Sequence, residues 1–111
     1  MANPTIGFIG YGNMAQAIAE GLVNAGTISG DDIVACAAHY DKLERNAAKL
    51  GAKAVHTAAQ VAEVADVVVI AIKPYQIEAV ISPIVDQLAQ PNTIVVSPLH
   101  CLHASNRYLQ L

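Results

Sequence analysis

Gly10-Tyr11-Gly12-Asn13-Met14-Ala15, a G-x-G-x-x-A run, constrains this chain more than any other feature. Such a run means little by itself and gains meaning from what flanks it. Before it stands Thr5 to Gly10, a short apolar stretch that reads as a buried strand. After it, Asn13 to Ala25 carries Met14, Ile18, Leu22 and Val23 at helical spacing, and Gly26 offers a stop. In that setting each position has a physical reason. Gly10 permits a tight turn, Gly12 lets a pyrophosphate approach the backbone, and Ala15 is small enough for close helix–strand packing. The helix start then presents free N–H groups and the positive end of its dipole to phosphates. The bland alternative is a tight strand–helix turn with no ligand.

The rest of the chain alternates in the same way. Ile33 to Ala37 reads as a second strand, Asp41 to Leu50 as a helix, Lys53 to Val55 as a short strand and Ala58 to Val64 as a weak helix. Asp66 introduces Val67 to Ile72, a β-branched run without polar alternation, so both its faces should be covered. Ile77 to Gln90 has one apolar face but contains Pro83, which predicts a kink or a later start. Thr93 to Ser97 is a fifth strand. Strands alternating with helices predict an α/β, Rossmann-like, doubly wound parallel sheet of about five strands with helices on both faces. We expect one dinucleotide-binding domain over residues 1–97. A tail over residues 98–111 follows, without helical or strand period and therefore mobile, which would leave the fifth strand as an unprotected edge.

Composition narrows the function classes. Of 111 residues 54% are hydrophobic and 14% charged, so the chain can bury a core and is not disordered. Twenty alanines, one Phe and no Trp suit helices packed closely on a sheet. The net charge is −3, with the six basic residues scattered, which gives no footprint for nucleic acid. No apolar run reaches the roughly 18–20 residues of a membrane helix. The start of the chain lacks a basic segment followed by a long apolar one, so a cytoplasmic setting is expected. Cys36 and Cys101 do not make a disulfide scaffold, and Cys36 reads as a core residue. His100, Cys101 and His103 lack a fourth ligand and make a poor metal site.

The end of the second strand usually selects the cofactor. An Asp or Glu there holds the ribose 2′-hydroxyl and repels a 2′-phosphate. Ala37 and Ala38 stand in that place, and His39 and Lys42 are instead placed to meet a 2′-phosphate, which favours NADP (NADPH) over NAD. The alternative is that His39 and Lys42 are simply solvated. Ala71-Ile72-Lys73-Pro74 ends the fourth strand, where the strand order of such sheets reverses and ligands sit. The loop's backbone is expected beside the nicotinamide, with a solvated Lys73 side chain as the alternative.

Ile6-Gly7-Phe8-Ile9-Gly10-Tyr11-Gly12-Asn13-Met14-Ala15, with Ile18 and Gly21-Leu22, resembles the start of pyrroline-5-carboxylate reductases. Asp66 through Ile72-Lys73-Pro74 resembles that family's second block, and together the two cover roughly residues 5–97. The resemblance implies reduction of the small imino acid 1-pyrroline-5-carboxylate to proline by NAD(P)H, in proline biosynthesis. It implies cofactor contacts at Ile9, Gly10, Tyr11, Gly12, Asn13 and Met14, at the turn Ala37 to His39, and at Ala71, Ile72 and Lys73. Two positions depart from it: Ala37, where the family often has a hydroxyl residue, and Ala58, where it often has Asn. After Ser97 the family runs on as Ser, one residue, Ala-Ala-Gly, but this chain reads Pro98-Leu99-His100-Cys101. The resemblance implies a helical domain that gives the family its dimer and most of its imino-acid site; the residues of this chain are expected to hold only the cofactor-binding half, and no catalytic residue is nominated. Two other readings stay open. One is a non-catalytic NADP-binding module, the other a different small-substrate NADP-dependent oxidoreductase.

Overall fold

The computed structural model describes residues 4–84, 86, 94–97 and 108–110. It begins with β1 (Ile6–Ile9), α1 (Asn13–Asn24), β2 (Ile33–Cys36), α2 (Tyr40–Ala48) and β3 (Lys53–Ala54). It continues with α3 (Ala58–Val64), β4 (Val67–Ile70), α4 (Pro74–Ile81), β5 (Ile94–Ser97) and β6 (Tyr108–Gln110). The six strands form one sheet in the order β3-β2-β1-β4-β5-β6, and every pair is parallel. Strand order reverses between β1 and β4, so this is the doubly wound, Rossmann-like fold that the alternating pattern predicts.

Period-two alternation sorts the strand residues onto two cores. Phe8, Ile33, Ala35 and Val69 face Ala15 and Ala19 of α1 and Leu43 of α2. Ile9, Val34, Val68 and Ile70 face Val61 and Ala62 of α3, and Ile81 and Ile84. Alanine at positions 15 and 19, both fully buried, lets α1 lie close on the sheet. Phe8, Ile9, Val61 and Ile70 are also fully buried, each stabilising the fold by about 1.5–3 kcal/mol. Asp66 ties the amino ends of the two central strands. Its carboxylate accepts from the Thr5 N–H at 2.9 Å, and its own N–H donates to the Thr5 carbonyl at 2.8 Å. Among the described residues no helix is long and apolar enough to cross a membrane.

Three expectations need correction. β4 stops at Ile70, two residues short of Ile72. α4 starts at Pro74, three residues before Ile77, and stops at Ile81. Proline suits the first helical position because its φ is already helical and its missing N–H has no partner there. At the other end Pro83 cannot donate, and the backbone tightens into a 3-10 turn over Ser82–Ile84. The remainder of the expected helix to Gln90, Asp86 apart, lies outside the described residues. Finally, β5 is not a bare edge. Tyr108, Leu109 and Gln110 pair with Val95, Val96 and Ser97 as the sixth strand, so the stretch expected to be mobile without period contributes to the sheet. Residues 98–107 and 111, including His100, Cys101 and His103, lie outside the described residues.

Candidate functional site

The carboxyl ends of β1 and β4 flank the switch point, and the glycine loop crosses it. Gly10 has φ +94°, a left-handed conformation open to glycine at little cost. Its N–H donates to the Cys36 carbonyl at 2.8 Å, extending the β1–β2 ladder by one step. The Ala71 N–H likewise donates to the Ile9 carbonyl at 2.8 Å. Thus the first turn is clamped between the ends of β2 and β4.

Gly12 is the N-cap of α1, and no side chain caps the helix. Among the described residues a Cβ built on Gly12 would meet nothing within 4 Å, so none of them fills the space above the helix start. The first turn of α1 carries no acidic residue. Asn13 and Met14 are exposed beside it, and Met14 is 44% exposed. An uncapped helix start over an open glycine, with no competing carboxylate, fits a phosphate group.

Tyr11 behaves differently from its neighbours. Its side chain turns inward, 5% exposed, with its ring edge-on to Phe8 at 5.8 Å between centroids. Its carbonyl accepts from Gln16 Nε2 at 3.2 Å. The phenolic oxygen is buried without a hydrogen-bond partner among the described residues. Burial, with a smaller push from Glu20, raises its pKa. Of this residue only the backbone belongs to the loop's open side. Ile9, fully buried, supports the loop from the core below.

On the β2 side, Ala37 is half-buried, while Ala38, His39 and Lys42 are exposed. His39 is the N-cap of α2, and Asp41 lies in that helix's first turn. No acid stands on the loop from Ala37 to His39. Cys36 beneath it is buried, and burial pushes its thiol pKa up, outweighing a Gly10 N–H bond that pulls it down. On the β4 side Ala71 and Ile72 are half-buried, Lys73 is exposed, and Pro74 opens α4. The Lys73 N–H donates to Gln76 Oε1 at 3.3 Å.

The nominated residues therefore gather as three adjoining loops along the carboxyl edge of the sheet, after β1, β2 and β4. Sequence reasoning did not single out Tyr40 and His56, whose rings stack at 4.0 Å and 16° from parallel beside the β2 loop. They belong to different strand–helix turns, and only their shared aromatic character could have hinted at the contact.

A family model described as NADP oxidoreductase, coenzyme F420-dependent, matches residues 5–100. The chain is 36% identical over 76 residues to a pyrroline-5-carboxylate reductase of Treponema pallidum, covering 68% of this chain and 29% of that protein. It is 34% identical over 90 residues to the enzyme of that name from Escherichia coli, covering 81% of this chain and 34% of the other. A solved pyrroline-5-carboxylate reductase from Coxiella burnetii superposes with a TM-score of 0.77 at 36% identity, over 86% of this chain and 35% of that one. The chain thus spans about a third of the length of these relatives.

Proposed function

The chain belongs to the NADP oxidoreductase, coenzyme F420-dependent family, and from that premise we propose that it supplies the NADPH-holding domain of a cytoplasmic reductase converting 1-pyrroline-5-carboxylate to proline. In this reading residues 1–97 are the cofactor domain and residues 98–111 a divergent tail whose last strand completes the sheet. The observation that carries it is the uncapped start of α1 over an open Gly12, in a chain similar to proteins named for that reaction.

The residues fall into roles. Gly10, Gly12, Asn13 and Met14 receive the pyrophosphate, with Ile9 and the Tyr11 backbone shaping the turn. Ala37 and Ala38 leave room for the ribose, and His39 and Lys42 meet its 2′-phosphate. Ala71, Ile72, Lys73 and Pro74 border the nicotinamide end. Bound NADPH would supply the hydride. The protein's part is orientation, since holding donor and acceptor in register makes the transfer effectively unimolecular. In this reading most of the imino-acid site lies outside the third of the relatives' length that this chain spans.

Titration of the folded chain with NADPH and NADH, followed by nicotinamide fluorescence, tests the reading. Saturable binding with NADPH the tighter ligand is expected. A folded chain that binds neither would reject it.

A further inference from the structure

We infer that His56, seated on Tyr40, is the stacking platform for the cofactor's purine ring, an inference that rests on the cofactor reading above. The two rings lie 4.0 Å apart and 16° from parallel. Tyr40 is half-buried against the core under α1 and α2, whereas His56 is exposed. Of the two stacked rings the imidazole is therefore the one more open to a ligand. It stands on the carboxyl side of β2 and β3, next to His39 and Lys42. A nucleotide with its pyrophosphate on α1 and its 2′-phosphate at the β2 loop has its base directed to this corner of the sheet.

The backbone beneath His56 is built to hold still. The Val55 N–H donates to the Ala35 carbonyl at 2.8 Å, which locks the end of β3 to β2. Gln60 Oε1 accepts from the His56 and Thr57 N–H groups at 2.9 and 3.1 Å, and Thr57 Oγ1 accepts from the Gln60 N–H at 3.2 Å. These bonds occupy the backbone of the turn, leaving the imidazole face for a ligand. A flat base on a flat ring needs no hydrogen-bond match, so the platform compensates at Ala58, which has no polar side chain to offer.

The test compares wild type, His56→Ala and His56→Phe in the whole chain, with adenosine 2′,5′-bisphosphate as probe and NADPH in parallel. Because His56 is exposed, far-UV circular dichroism is expected to be unchanged. His56→Ala should bind both ligands about tenfold more weakly and lose the drop in adenine absorbance that stacking produces. His56→Phe should keep both properties. If His56→Ala binds as wild type does, or if His56→Phe is as weak as His56→Ala, the platform is wrong although the cofactor reading survives. A wild-type chain that binds neither ligand overturns both.

Discussion

Gly10 and Ala71 approach so closely past the ends of β1 and β4 that a Cβ on Gly10 would lie 2.8 Å from the Ala71 carbonyl oxygen. With φ at +94° the position is closed to side chains on two counts. The first glycine of the loop is thus a structural requirement of the seam between the central strands. The second glycine, at 12, has no described residue within 4 Å of an added Cβ, and in the proposed reading it serves the cofactor.

That division predicts opposite outcomes for two substitutions. Gly10→Ala should cost at least about 1–3 kcal/mol in urea unfolding, because it adds left-handed strain and a backbone clash. Gly12→Ala should leave stability within about 1 kcal/mol yet weaken NADPH binding by tenfold or more. Equal losses of stability in both variants would show that the division is wrong.

Tyr11→Phe should stabilise the fold. It removes a buried hydroxyl that has no partner among the described residues and keeps the edge contact with Phe8. Leaving such a group unsatisfied costs about 1–3 kcal/mol, so a gain of about 1 kcal/mol, or roughly 4 °C in Tm, is expected from a thermal melt. A lower Tm would mean that the hydroxyl has a partner in solution.

Alkaline pH should weaken the fold through Cys36. Burial raises its folded pKa, so the unfolded chain ionises first. The neutral thiol's contribution is complete below about pH 8.5 and declines as pH rises above it. Urea unfolding at pH 7.5, 8.5 and 9.5 should show falling stability in wild type and a shallower fall in Cys36→Ala. Parallel slopes would exonerate the thiol. Tyr11, also raised, adds to the decline only above about pH 10.

Ala38→Asp should reverse the cofactor preference. The residue is exposed on the loop after β2, where a carboxylate attracts a ribose hydroxyl and repels a phosphate. NADPH should bind at least tenfold more weakly while NADH binds equally or better. Equal weakening of both would place the 2′-phosphate elsewhere.

Much of this could be read from the residues alone. The glycine loop, the unbroken apolar run of β4 and the alternation of strands with helices have local causes, and they specify the parallel sheet and its switch point. What escaped has non-local causes. Pro74 opens α4 although proline after Lys73 reads equally well as a strand-ending turn, and only the helix behind it decides. Tyr11 occupies a loop position, yet its ring goes to the core because Phe8 and α1 leave an apolar slot there. Tyr108 to Gln110 carry no period, and their strand exists because β5 offers an unpaired edge. The Tyr40–His56 stack depends on two turns meeting in space.

The pairing of Ile6 with Val67 also sets a timetable. The partners are separated by 61 residues, as are Thr5 and Asp66 behind them. During synthesis at about 5–20 residues per second, β1 leaves the ribosome and waits about 3–12 s for the strand that will cover its second edge. Until then Ile6-Gly7-Phe8-Ile9 is an apolar strand with one ladder of hydrogen bonds unfilled, open to any other chain in the same condition. The seam that gives the finished sheet its crevice is therefore the last part of its centre to close, and chains cut short before β4 are the ones expected to aggregate.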